Sequence, residues 1–303
     1  MPDAKLSIGR VPVQRRVDFN QGVDARILCK GPGYLRDLAS ICLKPLRIAF
    51  DHLGLKGPYE RAVRYAHEFG LMSMSNYMLY NFHDTPADLF ERMRLNVTLN
   101  EELGLRIWSF PMRYQPTWLP DRSHVGEKWT RYQLRSMQLI LQATHGVVSG
   151  DPAFFKRAFG DTIEQFEDLL IRPHHFIFNR DWFEIHGGRA PFAEYKKEFM
   201  KLSASERAEL LGLIASVDPS DLRGQLKLAT TSRVRSIMRY YLPLTKDEEV
   251  EIWTQQRAIK QRDDSSIIVP DEERVEDAGL NYEEARASAP SKTTRQKKAI
   301  ATA

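Results

Sequence analysis

The sequence predicts an α/β fold in three zones: a βα repeat over residues 1–120, a mostly helical region over 121–254, and a charged, disordered tail over 255–303. Three observations carry this. Short apolar runs alternate with helical patterns before residue 120, the arrangement of a parallel sheet with crossover helices. Helical apolar spacing dominates from 121 onward. The final stretch is polar and charged with few aromatic residues, too poor in apolar surface to fold by itself.

The elements read in order as follows. Residues 17–23 (VDFNQGV) alternate apolar and polar side chains and predict a first strand, followed by a helix through Leu35, Leu38, Ile41 and Cys42. Residues 46–50 (LRIAF) form a compact apolar run closing on Asp51, a second strand. A loop with Gly54 and Gly57 leads to Pro58 at the start of a helix. Ala62, Val63, Ala66 and Phe69 mark its buried face, and Gly70 stops it. Residues 74–80 predict a third strand. Thr85-Pro86-Ala87-Asp88 is a strong helix start, with a hydroxyl N-cap, a proline in the first turn and a carboxylate three residues on. That helix turns Leu89, Met93, Val97 and Leu103 inward and ends at Gly104. Residues 105–112 (LRIWSFPM) are the fourth strand.

Composition narrows the function. Hydrophobic residues make up 42% and charged residues 28% of 303, enough for a real core. No run approaches the roughly 18 apolar residues of a membrane span. The first residues lack the apolar core of a secretory signal, so a cytoplasmic location is expected. Cys29 and Cys42 are too few for a disulfide framework or a cysteine-ligated metal site. The net charge of +4 is scattered, so nucleic acid is not indicated. Phosphate loops, nucleophile elbows and His-Glu-x-x-His helices are absent from the sequence.

Ligands of parallel sheets sit outside the carboxyl ends of the strands. Here those ends are rich in amides, hydroxyls and charges: Asn20, Gln21, Asp24 and Arg26 after the first strand, Asp51 and His52 after the second. Asn76, Tyr77 and Asn81 mark the third, with His83 and Asp84 beyond, and Arg113 with Tyr114 follows the fourth. Singly, such residues often only cap helices or fix turns. Together they offer donors and acceptors suited to a ligand with ribose, amino-acid and purine edges. Four βα units also cannot close a barrel, and an unclosed parallel edge calls for a partner.

Residues 46–91 resemble the later barrel strands of the radical S-adenosylmethionine enzymes. Ala49-Phe50-Asp51-His52 stands where many members carry a strand ending in Glu-Ser. Residues 80–89 (YNFHDTPADL) stand where they carry Gly-Leu-Pro-Gly-Glu-Thr-x-Glu-Asp-Leu; Asp84-Thr85 and Asp88-Leu89 match in character, while Asn81 and His83 replace two glycines. Residues 18–26 are similar to the preceding strand and residues 107–116 to the last one. The resemblance implies a partial (β/α) TIM-like barrel containing only the later strands, a helical C-terminal extension, and S-adenosylmethionine and a [4Fe–4S] cluster as cofactors. It places Asn20, Gln21, Asp24, Arg26, Asp51, Asn76, Tyr77, Asn81 and Arg113 around the nucleotide. The family's Cys-x3-Cys-x2-Cys cluster loop has no counterpart in these 303 residues. The expected partner is therefore a missing N-terminal half-barrel segment or subunit, and the substrate is unknown. The alternative is a non-catalytic remnant or adaptor, a protein or nucleic-acid interaction module.

Three further constellations read as structural. His174, His175, Asp181 and His186 have no metal-site spacing, since adjacent side chains point apart. Residues 128–145 form an amphipathic helix with Leu134, Met137, Ile140 and Leu141 on one face. Residues 233–241 mix basic and aromatic side chains, a weak stacking signal.

Overall fold

The computed structural model of the chain describes residues 5–8, 11–14, 16–41, 43–144, 146–148, 150–215 and 222–266. The chain divides into two compact units, residues 1–252 and 253–303. Of the second, the described part continues a helix, with the Arg257 guanidinium over the Trp253 ring at 5.6 Å. Residues 271–276 and 293–298 of the expected tail lie outside the described residues, as does Cys42.

The first unit opens with an antiparallel pair, β1 (Lys5–Ile8) and β2 (Val11–Gln14), where the sequence predicts nothing. Pro12 and flanking polar residues hide its alternation. The main sheet has four parallel strands: β3 (Val23–Asp24), β4 (Leu46–Ala49), β5 (Ser73–Tyr80) and β6 (Arg106–Arg113), in that spatial order. Three of the expected strands hold their places. The first is reduced to two residues and one isolated bridge, Val17 to Leu43. Between them Asn20 turns to φ 54°, with its N–H bonded to Asp18 Oδ1, and breaks the extended run.

The single helix expected next is two, α1 (Ala25–Leu28) and α2 (Gly33–Ala39), split where Gly31 and Pro32 interrupt it. Helix α3 (Lys56–Glu68) starts two residues before Pro58. Helix α4 (Pro86–Leu103) forms as the sequence predicts. Thr85 and Asp88 make a reciprocal capping box, and Gly104 ends the helix at φ 63°.

Helices α1, α3 and α4 pack side by side on one face of the sheet. That face buries Leu46, Ile48, Met74, Met78 and Ile107 against Ala62, Val63, Ala66, Leu89, Met93 and Val97. A buried polar chain runs through it: Asn76 Nδ2 donates to Tyr59 Oη (2.7 Å), Tyr59 to Asn96 Oδ1 (2.9 Å), and Asn96 Nδ2 to Ser109 Oγ (2.7 Å). The opposite face holds Arg47, Ser75, Tyr77, Leu79, Trp108, Phe110 and Met112. Trp108 is 38% and Met112 50% exposed, an uncommon state for a parallel sheet, whose two faces are normally covered.

The two sheet edges differ. On β6 the Asn100 amide takes both backbone groups of Ile107 (2.8 and 3.2 Å), and Ser109 and Val148 exchange backbone hydrogen bonds. This side chain and short bridge occupy an edge that would otherwise stay open. On β3 no outer strand pairs among the described residues.

From residue 131 on the described elements are helices, and the last of them runs past residue 254 to Ser266, into the stretch expected to be a disordered tail. Helix α5 (Arg131–Ala143) carries a Thr130–Gln133 capping box and buries Leu134, Met137 and Ile140. Helices α6 (Pro152–Phe159) and α7 (Ile163–Leu170) extend the sheet's core through Phe155, Phe159 and Phe166. Helices α8 (His174–Phe178), α9 (Arg180–Glu184), α10 (Arg189–Met200), α11 (Ala204–Ala215), α12 (Leu222–Leu226) and α13 (Ser232–Met238) gather a second core around Phe176, Phe192, Tyr195 and Ile237. Helix α14 (Lys246–Ser266) closes the described chain.

Arg92 of α4 is fully buried where strands and helices meet. Its Nη1 donates to the carbonyls of Phe50 (3.1 Å), Asp51 (2.9 Å) and Leu79 (2.8 Å), its Nε to that of Asp88 (3.2 Å), and its Nη2 to Asp84 Oδ2 (2.8 Å). Replacing Arg92 with Leu strands a buried carboxylate and three strand-end carbonyls. It is expected to cost about 3–5 kcal/mol, measured by urea unfolding. Adding Asp84→Asn should recover part of that loss, and a single-variant cost below about 1 kcal/mol would refute the role.

Candidate functional site

The sequence-predicted residues are spread over the sheet: Asn20 and Gln21 precede β3, Asp24 ends it and Arg26 follows in α1, Asn76 and Tyr77 lie inside β5, and Asp51, Asn81 and Arg113 lie at the carboxyl ends of β4, β5 and β6. Asn20 and Gln21 are exposed, as is the Asp51 side chain, while the Asp51 carbonyl is held by Arg92. Asp24 caps α1, accepting from the Arg26 N–H (2.8 Å), and its carboxylate takes the Arg26 guanidinium at 2.6 Å. That pairing holds Asp24 below the ordinary carboxylate range. Tyr77 lies half-buried on the open face.

The other three are committed inside the protein. Asn76 points into the helix layer and belongs to the Tyr59–Asn96–Ser109 chain, so it does not line the open face with Tyr77. Adjacent residues of a strand face opposite ways, and one of the two had to turn inward. Asn81, buried at φ 70°, donates to the carbonyls of Tyr114 (3.2 Å) and His124 (3.3 Å) and accepts from the Gly126 N–H (2.7 Å). It pins the loop after β6 against the end of β5. A Cβ on Gly126 would lie 2.9 Å from the Asn81 and Phe82 carbonyl oxygens, so only glycine fits. Arg113 Nη2 donates to the carbonyls of Arg122 (3.0 Å) and His124 (2.6 Å), tying down the same loop.

Two residues the sequence reading passed over build the open face. Arg47, 4% exposed, forks onto Asp18 through Nε (2.8 Å) and Nη2 (2.7 Å), reaches Ser75 Oγ (3.1 Å) and lies over the Tyr77 ring at 5.8 Å. The guanidinium holds the Asp18 carboxyl below its usual range. The signal for Arg47 was present: a charge at an alternate position inside the apolar run 46–50. On the helix side, burial pushes the Asp84 carboxyl above its usual range and pulls Arg92 below its own. The two groups lie 2.8 Å apart, and the attraction of each charge for the other works against that burial.

A cysteine-held cluster finds no support in these residues. Cys29 is half-buried with Sγ turned to the Arg26 carbonyl at 3.5 Å. Among the described residues no three His, Cys, Asp or Glu side chains gather as metal ligands, and no helix is long and apolar enough to cross a membrane. Comparison with protein-family models, curated proteins and solved structures finds no match for this chain.

The histidine pair in the helical region is packing material. His174 stacks on Tyr132 at 4.1 Å, and His175 packs edge-on to Phe176 and Phe183. Burial pulls both imidazoles down to about 4. Depressed histidines stay neutral in the fold while the unfolded chain protonates near 6.5, so stability present above that pH is lost as it falls toward 4. From pH 7 to 5 the loss is at most about 2 kcal/mol per histidine, less the relief that partial exposure gives. Thermal unfolding should show this decline, and the His174→Phe/His175→Phe variant should flatten it; an unchanged slope would refute it.

Proposed function

We propose that this chain is the later part of a (β/α) barrel of the radical S-adenosylmethionine type, cytoplasmic, and completed by a segment or subunit that carries the cluster-binding cysteines. The observation that carries the reading is the sheet: four parallel strands in chain order with their crossover helices on one face. A doubly wound sheet reverses its strand order and covers both faces, whereas successive units of a barrel keep both order and side. The unequal edges agree. Since Asn100 and Val148 occupy the β6 edge, earlier βα units would add beside β3. Such units would also cover the face that bears Tyr77, Phe110 and Trp108.

For S-adenosylmethionine, the chain offers the exposed Asn20 and Gln21 ahead of β3, the exposed Asp51 after β4 and the half-buried Tyr77 of β5. Their amide, carboxylate and phenol groups suit hydroxyl and amine groups of a ribose and an amino acid. Asp24 and Arg26, already paired, would shape the rim. The [4Fe–4S] cluster does not fit this chain's own residues, and its ligands belong to the completing segment.

That misfit favours a second reading, a non-catalytic adaptor that keeps the half-barrel and binds a protein or nucleic-acid partner. Anaerobic reconstitution with iron and sulfide separates the two, run on the chain alone and together with an adjoining gene product bearing Cys-x3-Cys-x2-Cys. A [4Fe–4S] absorbance and paramagnetic signal in the mixture, co-purifying with the chain, is expected of the enzyme. A signal confined to the partner, with no stable complex, would overturn it and leave the adaptor.

A further inference from the structure

At the ends of β5 and β6 four rings form a ladder. Phe82 meets His83 at 3.8 Å and Tyr114 at 4.5 Å, and Tyr114 meets His124 at 5.3 Å. The interplanar angles are 43°, 51° and 82°, so none of these pairs closes face to face. Phe82 is 42% exposed and His83 is exposed. An exposed phenylalanine is ordinary by itself. A run of four tilted rings at the ligand-binding end of a parallel sheet is a stacking surface.

Beside the ladder lies positive charge with no carboxylate partner among the described residues. Arg113 spends Nη2 on backbone carbonyls of the loop, and its Nε is buried with no partner among the described residues. Arg122 is exposed and pairs with no carboxylate among the described residues, and burial first, then the nearby charge of Arg122, push the ionisation of Arg113 down. Gln115 gives its amide N–H to the Asp121 carbonyl (2.6 Å) and keeps a buried Oε1 without a partner. Buried orphan atoms are few in native proteins, and two of the six among the described residues fall on this one loop start. Uncompensated guanidinium charge in a partly desolvated place attracts an anion, and guanidinium takes carboxylate or phosphate in a fork.

We propose that the Phe82–Tyr114 ladder and the Arg113–Arg122 pair form a binding site for a small planar aromatic anion, the ring stacking on Phe82 and the acid group on Arg122. The site stands on this chain's own residues and does not depend on a cluster or on completion of the barrel. It gives the strand-end site an anionic, aromatic ligand distinct from a cationic sulfonium.

Calorimetric titration of the full chain tests this with three probes: indole-3-carboxylate, neutral indole and cyclohexanecarboxylate. Indole-3-carboxylate is expected to bind with a Kd below about 1 mM, and each control at least tenfold more weakly. Phe82→Leu and Arg122→Gln alter exposed side chains that no hydrogen bond of the fold requires, and unfolding temperature checks their integrity. Each should weaken indole-3-carboxylate binding about tenfold. No saturable binding, equal binding of all three probes, or binding unmoved by either variant would overturn the proposal. Because no iron or S-adenosylmethionine enters the titration, failure here leaves the cluster experiment untouched, and the reverse also holds.

Discussion

A guanidinium buried without solvent has to find acceptors for its donors, and Arg92 finds them on three elements at once. Two of its carbonyl partners end β4, one lies near the end of β5, and the fourth belongs to its own helix. The same side chain neutralises Asp84 in the turn that leads into α4. Strand ends, turn and helix are therefore fixed together by one residue, and the platform from which Asp51 and Asn81 project is set from below. An aliphatic residue would fill the volume and leave those acceptors unmet, at the cost of burying bare polar groups.

The sheet carries two contrasting surfaces. Beneath, it is closed by α1, α3 and α4; above, Arg47 is buried while Tyr77 and Phe110 are half-buried and Trp108 is exposed. The Arg47–Asp18 pair lets a charge sit on an otherwise apolar face because Asp18, Ser75 and the Tyr77 ring surround it. Chain order and one-sided helices are properties of units in a repeating series, whereas the occupied β6 edge makes β6 the last strand on its side of the described sheet.

Local chemistry was legible in the sequence wherever a side chain acts on its own neighbourhood. Thr85-Pro86, Asp88 and Gly104 announce the limits of α4, and the apolar run 46–50 announces β4. Long-range choices were not. Residues 17–23 alternate like a strand, yet Asn20 prefers a left-handed turn bonded to Asp18, and pairing survives only at the ends. Asn76 and Tyr77 look equally fit for a site, and only the neighbouring strands decide which faces the helices. Nor could the sequence show that Asn81 and Arg113 would be spent on the loop of residues 114–126 rather than left free, because their acceptors lie many residues away.

The polar chain from Asn76 through Tyr59 and Asn96 to Ser109 also acts as a vernier. Sliding β6 by one residue along β5 would exchange its two faces, and apolar burial alone forbids that. A slide of two residues keeps every side chain on its own face, and burial scarcely notices. It would nevertheless move Ser109 by about 6.6 Å, out of reach of Asn96, and leave amides dry and unpaired. Greasy contacts thus select the face, and four polar side chains in series select the step.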